Sequence, residues 1–418
     1  MKHKKKIVYI FDLDGTITAK ETLPIISEHF NVGPEISKLT QETVQGNIPF
    51  VESFIKRVSI LGELPVSEIN NLLSKVPLLE RVVDFIQDHQ GECVIATGNL
   101  NVWVEKLCNK IGCEYFCSDG LIENNQVAKL THILKKEDVV NHFKSQDKKV
   151  VFIGDGNNDV TAMQIADISI ACGIVHQPAK GTLNAADYVV YDELAFVRLL
   201  DQIYSEKNGK SVVISCAGIG SRLGLDLTKA LIKIEGKPLI HHQLDSFEKV
   251  EDVRIVVGFQ AKEVIETVLE KRKDVIFAFN HDYFHTKTGA SFYLGARHGK
   301  KYAIAWDGDL LVHPKDVEKC LNFDGEFVGC SDVVSDEPVF VKLNFDNEVV
   351  SFSREYGDFE WVGPACLERS KIKFVSNNVF NQFENFLPIP MLKTDARDID
   401  TYDDYLRAKI FVKSWSRE

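Results

Sequence analysis

Short runs of consecutive apolar residues recur along the first half of the chain, each closed by a cluster of small polar and acidic residues. Ile7–Phe11 (IVYIF), residues 92–96 (ECVIA) and residues 150–153 (VVFI) are three such runs. Unbroken apolarity over four or five residues predicts strands buried on both faces, as in a parallel sheet. The runs end in DLDGT, TGN and GDGNND. The carboxyl ends of the strands form the ligand crevice of an open α/β sheet, so the three clusters are expected to share one site. About seventy residues of mostly helical pattern separate the first two clusters. That is too long for a simple crossover and predicts an inserted helical cap over approximately 18–82.

The pattern restarts after residues 204–210 (YSEKNGK), a polar stretch with Asn-Gly and no periodicity, which predicts a linker. Residues 211–215 (SVVIS) are again strand-like and lead into a glycine-rich turn. Val253–Val257, residues 275–279 and residues 302–306 are further strand candidates. The chain therefore reads as two α/β domains, 1–205 and 211–418, with no repeat of 20–50 residues and no low-complexity segment.

Composition narrows the partners. The 418 residues carry 49 Lys and Arg against 61 Asp and Glu, a net charge of −12. That balance argues against a nucleic-acid or anionic-membrane surface as the main partner. It leaves room for small phosphorylated substrates, which need only local cations and a divalent metal. No apolar run reaches the roughly eighteen residues of a membrane span. The basic start, Lys2 to Lys6, precedes a segment broken by Asp12 and Asp14, unlike a secretory signal. The nine cysteines are scattered and form no CxxC pair, which favours reduced thiols and a cytoplasmic location.

Asp12 and Asp14 sit one residue apart at a strand exit, where the strand period breaks and both can turn to one site. Gly15 allows close backbone approach. Asp155 and Asp159 repeat the arrangement after another strand. Four carboxylates at neighbouring strand ends repel one another, and a hard divalent cation with oxygen ligands removes that conflict; beside phosphate, Mg²⁺ is the usual choice. Thr97 offers a hydroxyl and a backbone N–H to a phosphoryl oxygen. Asp, Gly and Asn are turn residues in any case, but three such clusters in order, each after an apolar strand, point to a site.

The order DLDGT, Thr97, a lysine and GDGNND resembles the haloacid dehalogenase-like phosphatases over about residues 5–200. The resemblance implies a Rossmann-like sheet with a helical cap. It implies Asp12 as the nucleophile that becomes an aspartyl phosphate, and Asp14 as general acid, then base for water. Thr97 and a lysine would hold the phosphoryl group. Asp12, Asp155 and the Asp14 carbonyl would bind Mg²⁺, with Asp159 ligating or orienting. Lys136, opening an amphipathic helix, is the expected lysine; Lys135 and Lys129 stay open. The cap is similar to that of phosphoserine phosphatases. This implies Glu21 near a substrate amine, Arg57 near a carboxylate or second anion, and Phe50 as a lid. Thr97-Gly98-Asn99 departs from the Ser-Gly-Gly of that subfamily and leaves the substrate open.

In the second half, residues 216–224 (CAGIGSRLG) follow a buried strand. The glycines run G-x-G-x-x-x-G, which is neither the dinucleotide fingerprint nor a P-loop. With the continuation LTKAL and EGKPLI, this segment resembles nucleotidyltransferases that activate small phosphates and sugar phosphates. The small cytidylyltransferases, such as phosphocholine cytidylyltransferases, are closest in pattern, over about residues 211–410. The resemblance implies a Rossmann-like domain with a mixed sheet. The loop N–H groups of Ala217, Gly218, Gly220 and Ser221 would wrap a triphosphate, with Arg222 on the leaving pyrophosphate. Lys229 would stabilise charge on the α-phosphate. Asp309 and Asp400 would hold Mg²⁺, with Asp307 supporting or replacing one of them, and Ser291 would touch the nucleotide. Lys237, in a Gly-Lys-Pro turn, is expected to be structural. Tyr356, Phe359 and Trp361 are a possible aromatic wall for an ammonium group, with Glu355, Asp358 and Glu360 nearby.

Two enzymes in one chain is the reading that follows: a Mg²⁺-dependent phosphatase, and a transferase moving a nucleotidyl group, CMP from CTP, to a small phosphate or phosphonate. By analogy, the product would serve cell-surface polysaccharide or lipid head-group synthesis. The competing reading is a sugar-1-phosphate nucleotidyltransferase whose first domain is regulatory or a separate phosphatase.

Overall fold

The computed structural model describes residues 5–44, 47–220, 227–335 and 337–415. The chain divides into two units, Met1–Val197 and Arg198–Glu418. The division falls inside helix Glu193–Tyr204, ahead of the polar stretch read as a linker. The end of that helix is committed to the second unit: Gln202 donates to Asp252, and Arg198 reaches the same carboxylate at 3.4 Å.

The first unit is a sheet in the order Tyr188–Val190, Ile168–Cys172, Lys149–Gly154, Ile7–Phe11, Cys93–Leu100, Glu114–Glu123. All five of these pairings are parallel. Only the edge strand Gln126–His132, the return of a hairpin not foreseen from the sequence, runs antiparallel. Ile7–Phe11 lies at the centre and is almost wholly buried, as its unbroken apolar run requires. Register then fixes the site. Phe11 is level with Ile95 on one side and Ile153 on the other, so Asp12 emerges beside Ala96 and Gly154.

Four helices, Thr22–His29, Gly33–Val44, Phe50–Leu61 and Val66–Leu73, form the inserted cap. Its neck is tied. Thr18 pairs with Leu78, Ala19 N–H donates to the Pro77 carbonyl at 2.8 Å, and Leu79 N–H donates to the Ile17 carbonyl at 2.9 Å. The cap therefore ends at that clamp, slightly short of the expected limit at 82. Helix Glu80–Asp88 already leads back toward the sheet and buries Val82, Val83, Phe85 and Ile86.

The second unit has a mixed sheet. Tyr302–Asp307, Lys210–Ser215, Val253–Val257 and Ile276–Phe279 are parallel neighbours. Beyond Tyr302–Asp307 the long strand Phe359–Glu368 is antiparallel and is joined by Phe327–Ser331 and Val339–Leu343. Asp307 is level with Ser215, so the acidic turn and the glycine loop leave the sheet side by side. A second device brings in the distant acids. Leu311 pairs with Arg397 and Val312 with Ala396, antiparallel, which draws residues 398–400 against the turn after Asp307. The last helix, Tyr402–Trp415, anchors this arrangement by burying Ala408 and Phe411 with Ile232, Ile234, Leu239 and Ile399. Beneath the strands, Arg254 and Asp252 are fully buried as a pair. Arg254 also donates to the carbonyls of Gly295, Arg297 and His298, so its charge is fully hydrogen-bonded.

Candidate active sites

In the first unit Asp12 follows the central strand and is 6 % exposed. Its backbone N–H donates to the Ile153 carbonyl at 2.8 Å, which fixes the turn. Gly15 takes φ +67°, and a Cβ there would lie 2.9 Å from His176 Nε2 and 3.0 Å from Glu21 Oε1. Lys136 Nζ lies 2.6 Å from Asp12 Oδ1 and 2.5 Å from Asp159 Oδ1. Lys136 is buried at the start of helix Lys136–Ser145, whereas Lys129 and Lys135 are exposed. Burial pushes Asp12 well above the usual carboxylate range, against the pull of Lys136. Burial lowers and the two carboxylates raise Lys136, and the carboxylates win, so it stays an ammonium ion.

Asp159 has both oxygens engaged. Oδ1 binds Lys136, and Oδ2 accepts from the backbone N–H of Asp155 at 3.0 Å and of Gly156 at 2.9 Å. It thus shapes the turn that carries Asp155. Asp12, Asp155 and Asp159 bring carboxylate oxygens within 4.8 Å of one another, all from buried residues. Three buried acids that close, with one lysine, suit a divalent cation with oxygen ligands.

Asp14 is bound differently. Oδ1 accepts from Thr22 N–H at 2.7 Å, and Oδ2 accepts from Asn99 Nδ2 at 2.5 Å. Burial first, then the charge of Glu21, pushes Asp14 up to about 7. Thr97 is buried, and its hydroxyl accepts from Asn99 N–H at 3.2 Å. It does not follow the strand, as the pattern suggested. Strand Cys93–Leu100 runs through it, and the pairing register shifts between Ala96 and Leu100. Arg57 sits on helix Phe50–Leu61, nearly buried, with its guanidinium in the field of Asp14 and Glu21. Phe50 opens the same helix; its side chain lies outside the described residues.

In the second unit a cavity of about 440 Å³ opens where the strands end. Ala217, Gly218 and Gly220 line it, opposite Asp307, Asp309 and Asp400. Ser221 and Arg222 lie outside the described residues. Gly308 has no room for a side chain, since a Cβ would come 2.7 Å from the Ser215 carbonyl. Lys229 Nζ is 2.7 Å from Asp309 Oδ2 and also donates to Asp400 Oδ1. Thr228 N–H donates to Gln260 Oε1 at 2.9 Å, a bond that a proline ahead of Lys229 could not make. Asp307 is pushed up to about 7 by burial and by Asp309, and Asp398 likewise by burial and the neighbouring acids. Ser291 lines the same cavity, and its hydroxyl accepts from Asn280 Nδ2 at 3.0 Å.

The comparisons with known proteins divide the chain in the same way. Residues 9–164 match the family model of the haloacid dehalogenase-like hydrolases, and residues 212–325 that of the MobA-like NTP transferase domain. The chain joins these two domains. A phosphoserine phosphatase of Methanocaldococcus jannaschii is 29 % identical over 188 residues, 41 % of this chain and 87 % of that protein. Another, of Lactococcus lactis, is 25 % identical over 179 residues, 40 % of this chain and 83 % of that protein. Among solved structures, a phospho-aspartyl intermediate analogue of phosphoserine phosphatase has a TM-score of 0.40 at 23 % identity, covering 45 % of this chain and 95 % of its own. A CTP:phosphocholine cytidylyltransferase of Streptococcus pneumoniae has a TM-score of 0.40 at 20 % identity, covering 49 % and 99 %.

Two residues of the hydrolase domain were not singled out by the sequence. Asn99 was noted only as a departure from Ser-Gly-Gly; its amide also donates to Thr22 Oγ1 at 3.1 Å, so it is locked onto Asp14. His176 carries no motif and comes from the loop after strand Ile168–Cys172. In the transferase domain, Asp398, two residues before Asp400, was given no role from the sequence. The aromatic wall does not assemble as expected. Trp361 lines the cavity with Phe380, but Tyr356 is 62 % exposed under Lys342, and Phe359 packs under Lys393. Tyr356 precedes strand Phe359–Glu368, and Phe359, although it shares a face with Trp361, opens the strand beneath Lys393 and does not line the cavity. Glu360 is fully buried and accepts from the N–H groups of Val334 and Ser335, so it holds a loop rather than a ligand. Lys237 is tied to Asp245, the structural role expected of it.

Proposed function

We propose that the hydrolase domain cleaves a small phosphomonoester through an aspartyl phosphate, and that the transferase domain moves CMP from CTP to a small phosphate or phosphonate. The observation that carries the first half is Asp12 between Lys136 and Asp155, with Asp14 held apart from them by Thr22 and Asn99. Asp12 attacks phosphorus, and the ester P–O bond breaks. Asp14, with a proton to give near neutral pH, protonates the leaving oxygen. Asp14 then takes a proton from water as that water attacks the aspartyl phosphate, which frees phosphate and restores Asp12. Lys136 and Thr97 hold the phosphoryl oxygens. Arg57 and Glu21 face the leaving alcohol from the cap, and Phe50 is proposed as the lid.

In the transferase domain an oxygen of the acceptor attacks the α-phosphorus and pyrophosphate leaves. Lys229 supplies the charge for the α-phosphate, with Ala217, Gly218, Gly220, Ser221 and Arg222 around the triphosphate. Ser291, held by Asn280, faces the nucleoside. Mg²⁺ is the ion proposed for both domains: Asp12, Asp155 and the Asp14 carbonyl, oriented by Asp159, hold it in the first, and Asp309 and Asp400, backed by Asp307, in the second. When bound, it offsets the negative charge of the phosphates. Small-molecule substrates and a cytoplasmic setting complete the reading, with an activated head group for cell-surface polymers or lipids as product.

Joining the two activities constrains them. A phosphatase that destroyed the transferase's acceptor would defeat it. The hydrolase substrate is therefore a different ester, or the acceptor is a phosphonate, whose C–P bond resists aspartyl-phosphate chemistry. The test is pyrophosphate release with each of four NTPs against phosphocholine, phosphoethanolamine, aminoalkyl phosphonates and sugar phosphates. Phosphate release from each acceptor is measured in parallel. Release with CTP and a non-sugar acceptor supports the reading. Release with UTP and a sugar phosphate overturns the cytidylyl assignment, and rapid hydrolysis of the accepted compound overturns the division of labour.

A further inference from the structure

We propose that the outward face of the last helix, Tyr402–Trp415, is a self-complementary seam on which a second copy of this chain pairs antiparallel.

This helix is apolar on two sides. Its inner side buries Ala408 and Phe411 against Ile232, Ile234, Leu239 and Ile399, with Tyr405, Val412 and Trp415 packed around them. On the outer side Tyr402 is 67 % exposed, Leu406 41 % and Ile410 73 %. Each is four residues from the next, so the three stand in one row along the helix. A helix that rests on a core on one side and meets water on the other needs a single apolar stripe. The second stripe leaves large apolar side chains in water, and covering them is favourable.

The charges at the two ends of the row say what covers it. Asp403, Leu406, Ile410 and Lys413 follow one another at three, four and three residues, the spacing of a two-helix seam. Leu406 and Ile410 stand two residues to either side of position 408, and Asp403 and Lys413 five to either side. A two-fold axis beside 408 therefore sets Leu406 level with the partner's Ile410 and Asp403 level with the partner's Lys413, each contact made twice. A parallel pair would set Asp403 against the partner's Asp403 and Lys413 against the partner's Lys413, like charges that repel.

Both charges can reach outward. Asp403 is exposed, and Arg407, one turn on, pairs with Asp404 at 2.6 Å. Lys413 is 60 % exposed and lies 3.2 Å from Glu235, but Lys409 is 3.6 Å from the other oxygen of that carboxylate. Turning Lys413 to a partner thus leaves Glu235 with a cation. A lipid surface suits the face less well: one acid and one base bound the row, and anionic lipid repels a chain of charge −12. One helix pair covers less than the roughly 1,200 Å² of a standard interface, so the dimer is expected to be weak and concentration-dependent.

Sedimentation velocity of the full chain from about 1 to about 200 μM tests this. The weight-average mass is expected to rise from 47.2 kDa toward twice that value. I410D is expected to stay at the monomer mass throughout. D403K and K413E, each alone, are expected to weaken association by about tenfold, and D403K/K413E to recover it, since the reversed charges again face each other. All these positions are exposed, and melting transitions close to that of the wild type show that the variants fold. A wild type that stays monomeric, an I410D protein that associates as the wild type does, or a double reversal no better than the single ones overturns the inference. Flotation of the wild type with phosphatidylglycerol vesicles that I410D abolishes gives the face to lipid and overturns it as well.

Discussion

Replacing Lys136 by methionine keeps the length of the side chain and removes its charge from between two buried carboxylates. Lys136 is 3 % exposed, and its partners Asp12 and Asp159 are 9 % and 0 % exposed. At an effective dielectric constant near 20, a unit pair at 2.6 Å attracts by about 6 kcal/mol before desolvation is counted. Desolvation removes much of that, and loss of one partner of a buried pair costs about 3–5 kcal/mol net. For a domain of this size, roughly 2–4 °C per kcal/mol lowers its melting transition by about 10 °C. Activity falls for a second reason. Lys136 is what draws Asp12 down against burial, so without it the nucleophile is pushed still further toward its protonated form. A barrier raised by about 3 kcal/mol lowers kcat by more than about a hundredfold. Thermal unfolding followed by circular dichroism, with phosphate release from p-nitrophenyl phosphate, measures both. D12N/K136M is the control: with Asp12 neutralised, the missing ammonium matters less, and the double variant should be more stable than the sum of the single losses predicts. A K136M protein that melts within about 2 °C of wild type and keeps its kcat would refute the argument.

Three further outcomes follow from the same geometry. Phosphate release needs Asp14 protonated, so its rate should fall as pH rises through about 7; N99A removes a donor that favours the ionised form, so the fall should move to higher pH in a pH–rate profile. D309N should abolish pyrophosphate release and leave phosphate release intact, since Asp309 belongs to the transferase cavity alone; loss of both activities would show that the sites are not separate. Asp307 and Asp398 stand at about 7 in the folded chain against 3.8 for a free carboxylate, so the folded state holds protons that the unfolded state has lost. Stability of the metal-free transferase domain should therefore fall as pH rises from about 4 to about 7 and level off above, and Mg²⁺ should restore it; denaturant midpoints in EDTA at several pH values test this.

The parts of the fold that the sequence exposed are those with a local cause. Ile7–Phe11 is an unbroken apolar run because both faces are covered, and the acids that end it must lie where the strand ends. Lys136 could be preferred over Lys129 and Lys135 because it opens a helix. The helix–strand alternation of the first half announced its parallel order. What stayed hidden depends on contacts made by the folded chain. His176 lies in a loop of ordinary composition, and only the approach of that loop to Glu21 gives it a partner. The aromatic wall failed because nearness in sequence is not nearness in space: Tyr356 lies ahead of the strand under Lys342, and Phe359, on the same strand face as Trp361, sits under Lys393 away from the cavity lining. Asp398 went unassigned because the pairing of residues 311–312 with 396–397 that places it spans two-residue strands with no pattern of their own.

Both domains resolve the same electrostatic problem in the same way, with consequences that differ by burial. Each gathers acids at the ends of parallel strands and sets one lysine between two of them. Lys136 is enclosed, so its place between Asp12 and Asp159 belongs to the fold. Lys229 keeps 14 % of its side chain exposed on the wall of an open cavity, between two acids themselves 22 % and 26 % exposed. Its bonds to Asp309 and Asp400 cost less to break. On the proposed reaction, a triphosphate entering that cavity would offer the lysine stronger acceptors and would free the two carboxylates for a cation. The acidity of the chain, −12 overall, is thus not a barrier to phosphate in either domain. In the first it is cancelled in place, and in the second it is held in reserve by a lysine free to turn from carboxylate to phosphate.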